Sequence, residues 1–146
     1  MQFIKLCCFN EKGGVFSFQV RRMPMNEKKI LVVDDEDYVR ELMHTLLNKM
    51  GYEVTVAESS EDALRLIKKE YFPVIITDLL LMGMDGLEFC EILRQKSKKS
   101  KVFALTGHVN LYDAGKLENA GFSGLFKKPI DIGEMKKIIE ESFNPV

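Results

Sequence analysis

The chain has 146 residues, of which 46% are apolar and 29% charged, so it suits one domain and is not globally disordered. Its 21 Lys and Arg residues stand against 22 Asp and Glu residues, which leaves no basic excess of the kind that nucleic-acid binding needs. No apolar run approaches the length needed to span a bilayer.

The cysteines are Cys7, Cys8 and Cys90. Their odd number, without a C-x-x-C spacing, argues against a disulfide framework and against a zinc site. A bridge between the adjacent Cys7 and Cys8 would be strained. We therefore expect reduced thiols in a cytoplasmic protein.

The N-terminal residues 1–25 do not match the rest of the chain. Two apolar-rich runs at residues 2–9 and 15–20 flank a polar, glycine-containing segment, a pattern that favours a β-hairpin. The alternative is that Met25 is the native start and that the upstream residues are translated by mistake. We expect an N-terminal extension at residues 1–25 and a folded domain at residues 26–146.

Strands and helices are predicted to alternate from residue 29 onwards. Short runs rich in β-branched residues predict strands at residues 29–34, 53–57, 74–77, 102–105 and 124–127. Apolar stripes at helical spacing predict helices at residues 37–50, 60–69, 87–95, 111–120 and 132–143. The first helix carries the clearest stripe, formed by Val39, Leu42, Met43, Leu46, Leu47 and Met50. Five alternations of this kind predict an α/β domain, a parallel sheet with helices on both faces.

The first predicted strand runs directly into the acids Asp34, Asp35 and Glu36. Neighbouring carboxylates repel one another unless a cation lies between them, and Mg²⁺ prefers such oxygen ligands. Open α/β sheets bind ligands at the carboxyl ends of their strands. The acids therefore predict a magnesium site, and the alternative is a solvated acidic loop that caps the next helix.

Further polar residues follow the other strands, with Asp78 after the third, Thr106 after the fourth and Lys128 after the fifth. A doubly wound sheet brings these ends to one edge, where the set suits phosphoryl transfer. We expect Asp35 and Asp78 to hold Mg²⁺, with Asp34 acting directly or through water. The Asp78 carboxylate is the candidate nucleophile. The Lys128 ammonium would neutralise phosphoryl charge, and the Thr106 hydroxyl would donate a hydrogen bond to a phosphoryl oxygen.

These motifs resemble the receiver domain of bacterial two-component response regulators. The resemblance covers about residues 27–143 and is carried by Asp34-Asp35, Asp78, Met84-Asp85-Gly86, Thr106 and Lys128-Pro129. It implies a flavodoxin-like, doubly wound, five-stranded parallel sheet with strand order 2-1-3-4-5. It further implies that a histidine kinase or a histidine phosphotransfer protein phosphorylates Asp78, and that the Leu80 backbone carbonyl is a magnesium ligand.

The sequence departs from the family pattern in two places. Family members commonly have Met-Pro where this chain has Leu81-Met82, so the loop lacks a proline that would fix φ. The family's switch aromatic corresponds to Leu125, and strand alternation directs the neighbouring Phe126 to the opposite face of the sheet. We therefore expect no aromatic rotamer switch of the usual kind.

Three further side chains have a functional and a structural interpretation. The Leu80 side chain either screens the site from water or only covers its rim. His108 follows Thr106 closely, but an exposed loop histidine is the favoured interpretation, and His44 lies off the apolar stripe and is expected to face solvent. The lysine-rich residues 95–101 are interpreted as a polar connection in preference to a phosphate-binding or lipid-binding patch.

We expect a receiver that is not an enzyme beyond its own phosphorylation and dephosphorylation. Its output would pass to an unknown protein through the fourth helix, fifth strand and fifth helix, with the chain a monomer or a phosphorylation-dependent dimer. The chain would act alone or as a piece of a larger protein. The alternatives are a hydrolase of the haloacid-dehalogenase type, a flavodoxin relative and a degenerate receiver that only binds partners. The acidic pair would repel a flavin phosphate, and a hydrolase of that type would carry Asp-x-Asp after its first strand.

Overall fold

The computed structural model describes residues 28–144 with their side chains and, before them, the backbone of residues 3–9 and 15–21. Strands β1 (Phe3–Phe9) and β2 (Val15–Arg21) pair antiparallel, with Leu6 opposite Phe18. The predicted turn between them and the proposed start at Met25 lie outside the described residues. The boundary between an extension and a domain at residues 25 and 26 stays a prediction.

Strands and helices alternate through the rest of the chain. The strands are β3 (Lys29–Val33), β4 (Glu53–Ala57), β5 (Val74–Asp78), β6 (Lys101–Thr106) and β7 (Gly124–Lys127). The helices are α1 (Asp37–Lys49), α2 (Ser60–Lys69), α3 (Gly86–Lys96), α4 (Ala114–Ala120) and α5 (Ile132–Phe143). The Ser59 side chain caps α2 by accepting a hydrogen bond from the Asp62 amide, as its position before an acidic first turn predicts.

The five strands from β3 onwards form one parallel sheet in the order β4-β3-β5-β6-β7. Counted among themselves, this is the order 2-1-3-4-5, so the predicted flavodoxin-like α/β fold is confirmed. In this register Val33 lies opposite Thr77, and Asp78 lies opposite Leu105. The carboxyl ends of β3, β5, β6 and β7 therefore meet at one edge of the sheet.

The sheet is buried on both faces, which is why its central strands are uninterrupted apolar runs. One face packs under α2, α3 and α4, with Leu31, Val33, Ile75, Phe89, Leu93 and Leu117 in its core. The other packs under α1 and α5, with Ile30, Val32, Met43, Leu47, Met135 and Ile139 in its core. Of the stripe predicted for α1, Val39, Met43 and Leu47 are buried and the remaining three residues are half-buried.

One helix begins later than predicted. A single 3₁₀ turn occupies Val109–Leu111, and α4 starts only at Ala114, because the Asp113 side chain accepts a hydrogen bond from the Gly115 amide and caps the helix there. The start predicted at residue 111 was therefore wrong. Only Leu117 and Ala120 of α4 are buried. Every other element in this part of the chain ends within one residue of its predicted limit.

Side chains near the carboxyl edge take the faces that alternation predicts. Leu125 packs on the face covered by α4, whereas Phe126 is buried on the opposite face with its ring centroid 5.2 Å from that of Phe103. His44 and His108 are both exposed. Within residues 28–144, no helix combines the length and apolar character needed to cross a membrane.

Candidate functional site

Asp34 lies immediately beyond β3 and is fully buried. Its backbone N–H continues the ladder to the Ala57 carbonyl at 3.1 Å, and its own carbonyl accepts a hydrogen bond of 2.7 Å from the Arg40 guanidinium. Its Oδ1 accepts a bond of 2.9 Å from the Glu36 amide. These contacts fix both the backbone and the carboxylate of Asp34, while the next residue, Asp35, is exposed.

Asp78 is the last residue of β5, and only 6% of its surface is exposed. Its Oδ1 accepts a hydrogen bond of 3.0 Å from the Leu80 amide, which turns the chain away from the strand. Its backbone carbonyl lies against Gly86, where an added Cβ would be 2.2 Å from the Asp78 oxygen. Glycine at the start of α3 therefore lets the loop close behind Asp78 without a shift of α3 or of the end of β5.

Lys128 connects the two buried carboxylates. Its Nζ donates to Asp78 Oδ2 at 3.0 Å and to Asp34 Oδ2 at 3.3 Å. Its backbone amide donates to the Thr106 carbonyl at 2.9 Å, which ties the end of β7 to the end of β6. One ammonium group thus lies between two carboxylates that come from different strands.

Burial is the largest influence on the pKa values of Asp34 and Lys128, and neighbouring groups modify its effect. Burial raises the pKa of Asp34 to about 6, although the Glu36 amide and the Lys128 charge oppose this rise. Burial alone would lower the pKa of Lys128, but its hydrogen bond to Asp78 and the charges of both carboxylates outweigh that effect and raise it. A further positive charge beside Asp34 would favour the ionised form of its carboxyl group.

The carboxylates of Asp34, Asp35, Glu36 and Asp78 each place one oxygen within 4.8 Å of the others. Such an all-oxygen set with excess negative charge fits Mg²⁺, which binds through a few carboxylates and keeps several waters. The residues present therefore fit the predicted ion. Glu36 belongs to the acidic run that predicted the site, but it was not among the residues expected to hold the ion.

The remaining predicted residues, Thr106 and Leu80, lie at the same edge of the sheet but contact the acidic cluster less directly. Thr106 ends β6 and is 1% exposed, and its Oγ1 accepts a hydrogen bond of 3.0 Å from the His108 amide. It follows Leu105, the residue paired with Asp78 across the ladder. Leu80 is 45% exposed beside the site. Short distances thus connect Asp34, Asp35, Asp78 and Lys128, whereas strand adjacency alone places Thr106 nearby.

Comparison with known proteins gives one family. The family model described as "Response regulator receiver domain" matches residues 30–140. The sporulation initiation phosphotransferase F of Bacillus subtilis is 31% identical over 117 residues, which are 80% of this chain and 94% of that protein. The response regulator protein PilR of Pseudomonas aeruginosa is 29% identical over 79% of this chain. The chain spans only 26% of PilR and 31% of the ycf27 regulators that it also matches.

Solved structures agree with the sequence matches. A CheY-like receiver domain protein of Methanospirillum hungatei has a TM-score of 0.77 and 28% identity, with 82% of this chain and 95% of that chain covered. The response regulator protein TrrA of Thermotoga maritima, in complex with Mg²⁺-BeF, has a TM-score of 0.72 and 30% identity, with 78% and 97% covered. The chain therefore belongs to the response regulator receiver domain family.

Proposed function

We propose that this receiver accepts a phosphoryl group on Asp78 in the presence of Mg²⁺ and passes the signal on through protein contacts. The observation that carries the proposal is the position of Asp78, whose carboxylate contacts the Lys128 ammonium at 3.0 Å within an acidic cluster. A buried carboxylate, an ammonium group and further carboxylate oxygens lie together, and these are groups that phosphoryl transfer uses for attack and charge neutralisation.

Mg²⁺ would be held by Asp34, Asp35, Asp78 and the Leu80 backbone carbonyl. When bound, it would supply positive charge that neutralises the phosphoryl oxygens. The solved structure of TrrA in complex with Mg²⁺-BeF supports Mg²⁺ as the ion by family likeness. Glu36 also belongs to the cluster, and its exposure suits a contact through water.

Asp78, Lys128 and Thr106 would each have a separate role in phosphoryl transfer. An Asp78 carboxylate oxygen forms the new O–P bond while the donor's P–N bond breaks, and the donor leaves as a neutral imidazole whose other ring nitrogen has been protonated from solvent. The Lys128 ammonium moves its interaction from the carboxylates to a phosphoryl oxygen. The Thr106 hydroxyl donates a hydrogen bond to another phosphoryl oxygen. No other substrate is proposed, so the only reactions assigned to the chain are its own phosphorylation and dephosphorylation.

The proposed donor is a sensor histidine kinase or a histidine phosphotransfer protein. The likeness to the sporulation initiation phosphotransferase F, 94% of which is covered, supports a receiver that works with protein partners of this kind. We propose that the output partner is another protein that binds α4, β7 and α5, and that the receiver is a monomer or a dimer formed on phosphorylation.

Incubation with acetyl phosphate and Mg²⁺, followed by intact-mass measurement, tests the acceptor. We expect the wild type to gain one phosphoryl group and Asp78→Asn to gain none. The matched control is Asp131→Asn, which alters the exposed carboxylate that caps α5 and should leave the gain unchanged. Equal labelling of Asp78→Asn would show that Asp78 is the wrong residue, and an unlabelled wild type would favour a receiver used only for binding.

A further inference from the structure

The loop between β5 and α3, residues 79–85, carries the Leu80 carbonyl and is closed at its base. The Gly86 amide donates to the Leu79 carbonyl at 3.1 Å, and the Leu80 amide donates to Asp78 Oδ1 at 3.0 Å. Leu79 and Leu81 are buried, whereas Met82 is 84% exposed. The loop contains no proline, so these contacts alone leave the backbone beyond Leu81 free to rotate.

The first turn of α2 holds the far side of this loop. Ser60 is fully buried, and its Oγ donates to the Met84 carbonyl at 2.9 Å. The Met84 amide in turn donates to Glu61 Oε1 at 3.3 Å. Both polar groups of the Met84 backbone are therefore bonded to two consecutive side chains of another helix. We call this pair of contacts the α2 clamp.

Gly83 and Asp85, on either side of Met84, allow the backbone to take the conformation that the α2 clamp needs. Gly83 has φ of +80°, and an added Cβ there would lie 3.2 Å from Glu61 Oε1, so glycine permits both the turn and the close approach of the carboxylate. Asp85 caps α3 by accepting a hydrogen bond of 2.9 Å from the Glu88 amide. The α2 clamp thus fixes the loop directly before a capped helix.

We propose that Ser60 and Glu61 are positioning residues of the acidic site, a role that rests on the proposed function of Asp78. The loop is held at Asp78 by the Leu80 amide and at Met84 by the α2 clamp, and the Leu80 carbonyl lies between these two restraints. A loop released at Met84 would have to be ordered again before Leu80 could ligate Mg²⁺. Loss of the clamp should therefore weaken magnesium binding without removing any ligand.

The experiment compares Glu61→Ala, Glu61→Gln and Ser60→Ala in the full chain. Glutamine keeps an oxygen that can accept from the Met84 amide but removes the charge, whereas alanine removes the acceptor. Glu61 is exposed, so its variants should fold even if substitution of the buried Ser60 destabilises the domain. The matched control is Glu58→Ala, which removes a neighbouring exposed carboxylate that borders a groove beside β4.

Three readouts separate positioning from a general loss of stability. They are the hydrogen exchange of the amides of residues 80–84, the Mg²⁺ dissociation constant by calorimetry, and the rate of acetyl phosphate labelling as a function of Mg²⁺. Glu61→Ala and Ser60→Ala should exchange faster and bind Mg²⁺ about three- to tenfold more weakly, the effect of losing one hydrogen bond. Saturating Mg²⁺ should restore their labelling rate. Glu61→Gln and Glu58→Ala should behave like the wild type.

The proposal fails if Glu61→Ala matches the wild type in exchange and in magnesium affinity. It also fails if Glu61→Gln is as weak as Glu61→Ala, because the carboxylate would then act through its charge. A wild type that neither binds Mg²⁺ nor takes a phosphoryl group would overturn the proposed function itself. That result is distinct from a functional wild type that the clamp variants do not alter.

Discussion

The contact between Gly86 and the Asp78 carbonyl allows a sharp test of how the site is built. Gly86 is the first residue of α3 and is buried. In Gly86→Ala the new Cβ would lie 2.2 Å from the Asp78 oxygen and 2.9 Å from Leu79 Cα. Both neighbours are backbone atoms, so neither can turn aside as a flexible side chain would. Either α3 or the end of β5 must move.

The magnitude follows from two opposing effects. Forcing a methyl group into a packed site costs about 1–3 kcal/mol. Alanine is favoured over glycine within a helix by up to about 1 kcal/mol, which offsets part of that cost. Because the added Cβ would meet backbone atoms, the cost should lie in the upper half of its range, which leaves a net loss of roughly 1–2 kcal/mol in the free energy of unfolding, or a fall of about 3–6 °C in Tm for a domain of this size.

Thermal unfolding and urea unfolding measure this loss, with Gly133→Ala as the matched control. Gly133 lies in the first turn of α5, also after a capping aspartate, but its added Cβ would meet only Asp131 Oδ1 at 3.4 Å. That variant should be unchanged or more stable by up to about 1 kcal/mol. The reasoning is refuted if Gly86→Ala is as stable as the wild type, or if Gly133→Ala loses as much.

Three other perturbations have expected outcomes. In magnesium-free buffer at pH 7, urea unfolding should show Asp34→Asn more stable than the wild type by about 1–3 kcal/mol, because ionising a buried carboxyl costs free energy. The pKa of Asp34 is about 6 in the folded protein and 3.8 when unperturbed. Its contribution to folding stability is therefore fully present below pH 3.8 and is lost as the pH rises through 6. The stability that Asp34→Asn gains over the wild type should accordingly vanish on acidification. A gain that persists at low pH would contradict this. Lys128→Met should lose about 1–3 kcal/mol in the same buffer, and less with Mg²⁺, because two carboxylates lose their cation; an unchanged urea midpoint would count against that role. Cys90 is fully buried and burial raises its pKa to about 11, so iodoacetamide followed by peptide mapping should find it unmodified in the folded protein and modified in urea. Equal rates in both states would be inconsistent with its burial.

The alternating strands and helices, and the polar residues at the strand ends, could be predicted from the sequence. The strands are apolar because both faces of the sheet are covered, and the polar residue that follows each run marks the carboxyl edge. Asp34, Asp78 and Lys128 were expected to converge because parallel strands place their carboxyl ends at the same edge of the sheet. Their roles as metal ligands, acceptor and cation stay predictions.

The sequence did not suffice where contacts depend on how distant segments pack. Ser60 and Met84 are 24 positions apart, and a serine inside a helix gives no indication that its hydroxyl bonds a loop. Glu61 likewise looks like an ordinary acid at a helix N-terminus. The start of α4 was misplaced because the apolar Leu111 extended the helical pattern, whereas the Asp113 cap decides where the helix begins.

The shortness of α4 affects where proteases can cleave the folded protein. The helix has seven residues and is fixed to the core by Leu117 and Ala120, too little to persist once its contacts are broken. It should therefore open locally at a lower free energy than global unfolding. Lys116 is exposed and is the one trypsin site within α4, so we expect trypsin to cut after Lys116 while the sheet remains intact. Proteolytic nicking would then report the opening of this one helix.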